Sequence, residues 1–186
     1  MPPSNNPGNI LAGQGYAGQT GDTYTGKTSG LTYTKFDSPE MGLRAVFQEV
    51  RGKLEEFDGD VELALLKYLG GDKGTKEERY ARAATDNEDP VGYIQRGIEA
   101  YKNEGEKGLV KQIIINENDP VDKGGTRELY LNNPKAIERA KKLTIMDLPS
   151  GTTFENALKV YQQGEYSRKE GGMISRNPYP HNPRPI

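Results

Sequence analysis

The sequence predicts a mainly α-helical protein with a short, glycine-rich β segment in front and an extended arm behind. Three observations carry that prediction. Apolar residues recur at three- and four-residue spacing through 38–104, whereas the first 37 residues are rich in Gly, Thr, Tyr and Asn. After Gly164 the periodicity stops, and Pro178, Pro180, Pro183 and Pro185 punctuate the remainder. With 186 residues, 33% of them hydrophobic, and a mean hydropathy of −0.85, the chain has room for one modest core plus arms.

The front segment alternates weakly, Leu31, Tyr33 and Lys35 against Thr32, Thr34 and Phe36, which predicts a short strand. Gly13, Gly15, Gly18, Gly21 and Gly26 punctuate it, as expected of a glycine-rich surface loop or of a hairpin packed on helices. At Ser38 the period changes. Ser38 suits an N-cap and Pro39 the first helical position, and Leu43, Val46, Phe47, Val50, Leu54 and Phe57 share one face, so a helix is predicted over 39–57. Asp58-Gly59-Asp60 ends it and caps a second helix carrying Val61, Leu65, Leu66 and Leu69. Thr75-Lys76-Glu77-Glu78 reads as a capping box for a third. Asp89-Pro90 opens a fourth through Tyr101, with Gly105 beyond its end. The run VKQIIIN (Val110–Asn116) fits a strand or a helical turn equally well. Asn133-Pro134 starts a further helix with Ala136, Ile137, Ala140 and Leu143, and Thr152-Thr153-Phe154-Glu155 reads as a second capping box.

Composition excludes several chemistries. There is no Cys, and the single His181 lies in the Pro-rich tail, so thiolate and imidazole metal sites and a Ser-His-Asp triad lack material. A net charge of −2 gives no general nucleic-acid footprint. No apolar run approaches the ~18 residues of a membrane helix, and neither a signal peptide nor a cofactor motif is readable. NENDPVDKGG (Asn116–Gly125) offers oxygen ligands without the EF-hand order. GGDKGTK (Gly70–Lys76) lacks Walker spacing and reads as a helix-to-helix turn. Lys135, Arg139, Lys141 and Lys142 share one predicted helix, interrupted by Glu138, and read as a solvated face.

Five short motifs follow one another: NNPGNI (Asn5–Ile10), GQTG (Gly18–Gly21), the strand Tyr33–Phe36, SPEMGLRA (Ser38–Ala45), and Asn87-Glu88-Asp89-Pro90 ahead of Tyr93. That order resembles the small lysozyme-like, or lytic-transglycosylase-like, domain of bacteriophage virion and endolysin proteins, over residues 5–103. The resemblance implies a lysozyme-like helical domain at 1–104; beyond it the residue pattern reads as a helical or irregular extension at 105–164 and an extended Pro-rich tail at 165–186. It also implies that the Asn-rich loop lines a saccharide cleft, which makes Asn5, Asn6, Asn9 and Tyr16 the saccharide-binding candidates.

In that family a helix ahead of the loop supplies the catalytic glutamate, and here only Met1–Ser4 precede it. Among the nearest carboxylates, Asp22, Asp37, Glu40 and Glu49, the one weak catalytic candidate is Glu40. Its place in a first helical turn suits an ionised helix-end charge better than the protonated acid that glycosidic cleavage needs. The expected function is therefore that of a virion structural protein, a tail or ejection-apparatus component. Its degenerate lysozyme-like domain, C-terminal arm and tail would dock on other virion proteins, with no membrane and no specific nucleic acid as partner. The alternatives are a virion-borne peptidoglycan hydrolase and a non-catalytic peptidoglycan binder.

Overall fold

The structure is a computed structural model that describes residues 4–27, 29–118 and 130–171, with backbone alone from 165 onward. It is mainly helical, as the sequence predicts, and within the described residues the elements run in this order. Two strands, β1 (Gln19–Thr25) and β2 (Thr32–Phe36), precede α1 (Pro39–Glu56), α2 (Val61–Tyr68), α3 (Lys76–Asp86) and α4 (Pro90–Glu117). Then come α5 (Pro134–Leu143) and α6 (Phe154–Gly171). The chain divides into two units, Met1–Val46 with Asp122–Ile186, and Phe47–Val121. The boundary drawn near residue 104 from the sequence is not where this division falls. Residues 106–117 belong with the helices before them, and α5 and α6 belong with the N-terminal segment.

In the first unit, β1 and β2 form an antiparallel hairpin that pairs Thr23 with Thr34 and Tyr24 with Tyr33, with an irregularity between Gln19 and Thr23. The other edge of β2 is also occupied. Thr34 N–H donates to Ile10 O at 3.1 Å, and Ala12 N–H donates to Thr32 O at 3.0 Å. β2 is thus a central strand, and its pleat turns Thr34 and Phe36 inward while Tyr33 stays partly exposed. Tyr33 meets Tyr24 across the hairpin at 5.3 Å between ring centroids. The buried apolar set of this unit includes Phe36, Met41, Leu43 and Val46 from the front, and Ile137, Ala140, Leu143, Leu148 and Ala157 from α5, α6 and the segment between them.

In the second unit the predicted caps form. Asp60 accepts from Leu63 N–H at 3.0 Å, and Thr75 and Glu78 complete a capping box. Asp89 accepts from Gly92 N–H at 2.9 Å to start α4. Gly105 breaks α4 with φ 64° and ψ −145°, a conformation open to glycine alone at little cost. The chain doubles back there. Tyr93 Oη donates to Glu117 Oε1 at 2.8 Å and Arg96 Nε to Asn116 Oδ1 at 3.2 Å, so the arms 90–104 and 106–117 lie side by side. Gly108 permits the close approach, since a Cβ there would strike Ala100 O. The ambiguous VKQIIIN run is therefore helical, and burial of Leu109, Val110, Ile113 and Ile114 at three- and four-residue spacing is the reason.

Two other expectations change. The cap of α6 is Thr153, whose Oγ1 accepts from Asn156 N–H at 3.2 Å, because Thr152 instead turns its hydroxyl to Pro149 O at 2.8 Å. α6 continues past Gly164 to Gly171, so the extended tail predicted from 165 begins in a helix. Its remainder, with His181 and the four prolines, and most of the Asn116–Gly125 oxygen cluster lie outside the described residues.

Candidate functional site

The sequence placed the site where NNPGNI meets SPEMGLRA, and the structure does bring these segments together. Asn6 O accepts from Asn9 N–H at 3.4 Å, closing a turn with Pro7 and Gly8 at its corner. Asn5 (φ 50°) and Asn9 (φ 49°) occupy the left-handed region, which Asn tolerates better than most residues. The loop thus reverses sharply and delivers Ile10 beside β2.

An Asn side chain has one carbonyl acceptor and two N–H donors. Asn6, 2% exposed, commits all of them within the fold. Its Oδ1 accepts from Ile10 N–H at 2.8 Å, and its Nδ2 donates to Ile10 O and to Thr34 O, both at 2.9 Å. It acts as a side-chain rung between segment 10–12 and β2. Asn5, 8% exposed, donates through Nδ2 to Phe36 O at 3.0 Å, while Phe36 N–H donates to Ser4 O at 2.9 Å. Tyr16 is buried as well. Asn9 is half-buried and accepts from Tyr24 Oη at 3.3 Å. Of the four saccharide candidates, Asn5, Asn6 and Tyr16 are therefore interior groups, and Asn9 alone has a partly open side chain.

The other half of the motif supplies the seat. A Cβ on Gly42 would overlap Asn5 O and come within 2.9 Å of Pro7 Cδ, so the loop lies directly on the backbone of α1. A Cβ on Gly18 would likewise strike the Met41 side chain, at 2.4 Å from its Cβ. Ser38 caps α1 by accepting from Met41 N–H at 3.2 Å.

Arg44, one position short of the motif's end, is 2% exposed. Its Nε donates to Leu143 O at 3.0 Å and its Nη2 to Met146 O at 2.7 Å. A cation thus closes the C-terminal end of α5, where unpaired carbonyls and the helix dipole favour one. Burial pushes the Arg44 pKa down to about 10, and Asp147 and the Tyr16 phenol resist that shift. Asp37, just ahead of the motif, accepts from Phe154 N–H at 2.8 Å and so caps α6. Eight consecutive residues therefore hold the start of α1, the end of α5 and the start of α6.

The carboxylate candidates are placed as follows. Glu40 is half-buried in the first turn of α1. Asp37 accepts from the first N–H of α6, Glu49 is paired with Lys53 one helical turn on, and Asp22 is exposed on β1. Among the described residues no group of three or more His, Asp or Glu is arranged to hold a metal ion. A groove of about 530 Å³ follows the arms of α4, and Arg96, Lys111 and Gln112 on its walls are already engaged with Asn116, Glu104 and Asn116 respectively. No described helix is long and apolar enough to cross a membrane.

Sequence reasoning missed Arg44 and Gly42 as organising residues. The signal was present in Leu43-Arg44-Ala45-Val46-Phe47, where a charge interrupts an apolar run and 41–47 is buried throughout. A helical stretch buried all round leaves the one cation within it needing an internal acceptor. Comparison with protein-family models, with curated proteins and with solved structures gives no match.

Proposed function

We propose that this chain is a structural protein of a bacteriophage particle, a tail or ejection-apparatus component whose motif-bearing unit is a docking scaffold and not a sugar-cleaving site. The observation that carries the scaffold reading is the saturation of Asn6. The residue that a saccharide loop would present has its acceptor and both donors engaged internally. Arg44, Asp37 and Gly42 point the same way, since each joins segments of one unit. The phage setting rests on the motif order NNPGNI to SPEMGLRA.

The test is a pair of assays on the full chain: turbidity clearing of purified peptidoglycan and co-sedimentation with insoluble peptidoglycan. Neither clearing nor retention is expected, and Glu40→Gln should leave both results unchanged. Clearing abolished by Glu40→Gln would establish the hydrolase reading instead. Retention abolished by Asn9→Ala with folding intact would establish the saccharide binder. For the setting, the chain should co-sediment with purified particles of the phage that encodes it, and its confinement to the soluble lysate would refute the virion assignment.

A further inference from the structure

The outward face of α5 is a run of exposed cations in an acidic chain. α5 buries Ala136, Ile137, Ala140 and Leu143 and exposes Lys135, Glu138, Arg139, Lys141 and Lys142. Lys135, Arg139 and Lys142 fall at i, i+4 and i+7, so they form one stripe along the helix, with Lys141 beside it. Within the described residues none of the four cations has an ion-pair partner, whereas cations elsewhere are commonly paired. Arg51 pairs with Glu106 at 2.7 Å, Lys67 with Glu56 at 2.5 Å, Lys76 with Glu62 at 2.8 Å and Lys111 with Glu104 at 3.0 Å. Three cations held on one stripe repel each other, and an exposed face keeps them at a cost that an anionic partner removes.

The chain itself carries the complementary charge. Of its 25 Lys and Arg and 27 Asp and Glu, Phe47–Val121 holds 11 and 17, which leaves 14 and 10 for the other unit. The two units therefore have opposite net charge, −6 against +4. We propose that the cationic face of α5 docks on the acidic Phe47–Val121 unit of a second copy of this chain. The contact joins two different surfaces, so a pair of copies joined by it keeps one free surface of each kind. Repeated from copy to copy, such a contact closes into a ring of two or more copies or extends into a filament. The inference is independent of the phage setting.

Sedimentation velocity across a concentration series, at 50 mM and 500 mM NaCl, tests it on the full chain. Charge-driven contacts weaken as the screening length falls from about 10 Å at 0.1 M salt toward about 3 Å at 1 M. Assembly is expected at low salt and monomer at high salt, with at least a tenfold loss of apparent affinity between them. The triple variant Lys135→Glu, Arg139→Glu, Lys142→Glu alters only exposed positions and should keep the wild-type circular dichroism spectrum. It should be monomeric at both salts. It still carries the acidic unit, so adding it to wild-type protein should shorten wild-type assemblies by capping their growth. A wild type that stays monomeric at every salt and concentration overturns the proposal, as does a folded triple variant that assembles like wild type. Binding of a duplex DNA oligonucleotide by the α5 face without self-association also overturns it, in favour of a nucleic-acid partner.

Discussion

Two glycines of α1 should respond to the same substitution with opposite sign. Replacing Gly by Ala in a helix interior ordinarily stabilises by roughly 0.5–1 kcal/mol, through backbone entropy and propensity. Gly52 has no atom within 4 Å of the position a Cβ would take, so Gly52→Ala should show that gain. At Gly42 the new methyl overlaps Asn5 O and lies 2.9 Å from Pro7 Cδ, atoms of a rigid turn and not the end of a flexible side chain. The NNPGN loop must lift away from the helix. That movement strains the three bonds which tie it to β2: Asn5 Nδ2 to Phe36 O at 3.0 Å, Phe36 N–H to Ser4 O at 2.9 Å, and Asn6 Nδ2 to Thr34 O at 2.9 Å. Each is a buried hydrogen bond with a net value of about 1 kcal/mol. Loss of three, less the propensity gain, leaves Gly42→Ala destabilised by about 2–3 kcal/mol. Urea unfolding followed by circular dichroism measures both variants against wild type. If Gly42→Ala unfolds at or above the wild-type midpoint, the loop is not seated on α1 and the scaffold reading loses its basis.

Three further outcomes follow from the same contacts. Asn6→Asp replaces two donors that face Ile10 O and Thr34 O with an acceptor, so a loss of about 3 kcal/mol is expected at neutral pH, with partial recovery in acid as the carboxyl gains a proton; thermal melting at two pH values checks it. Residues 1–104 alone lack the acceptors of Arg44 and the helix that Asp37 caps, so that fragment should be digested by trypsin without a stable core, whereas Phe47–Val121 alone should melt cooperatively as a helical unit. Burial and Glu117 raise the pKa of Tyr93 well above its usual value, and burial with Glu62 raises Tyr80 to about 12. Above pH 10 the unfolded tyrosines therefore ionise first, the unfolded state binds fewer protons, and stability falls as pH rises. Tyr93→Phe should flatten that alkaline limb of a urea-midpoint profile, at a cost of about 1.5–3 kcal/mol for its bond to the Glu117 carboxylate.

Local signals in the sequence were read with success wherever one residue and its near neighbours decide the outcome. Ser38, Asp60, Thr75, Asp89 and Asn133 are all caps in the structure because an N-cap bond spans two or three residues. Two neighbouring threonines broke that rule at α6, where either could cap and only the turn at Pro149 chooses between them. Long-range partners were not legible. Nothing near Arg44 announces that its acceptors lie 99 and 102 residues away, and nothing near Asp37 announces Phe154. The division of the chain into units rests on partners that are equally distant in sequence. Gly105 does interrupt a helix, yet whether the chain then leaves or folds back depends on Gly97 and Gly108 admitting the second arm.

The motif itself shows why residue type alone does not separate recognition from architecture. Asparagine suits a sugar because it offers donors and an acceptor in one plane, and for that reason it also suits the edge of a strand that needs bridging. The deciding quantity is unused capacity at the surface. Asn6 has none, Arg44 donates to main-chain carbonyls, and Asp37 terminates a helix. Recognition by this unit must then use what faces outward. On the sheet these residues are Leu11, 40% exposed and paired opposite Tyr33, together with Leu31 and the Tyr24–Tyr33 pair. On α5 they are the exposed cations Lys135, Arg139, Lys141 and Lys142. Exposed apolar and aromatic surface on the sheet and a stripe of like charge on α5 are the two kinds of surface that suit a protein partner.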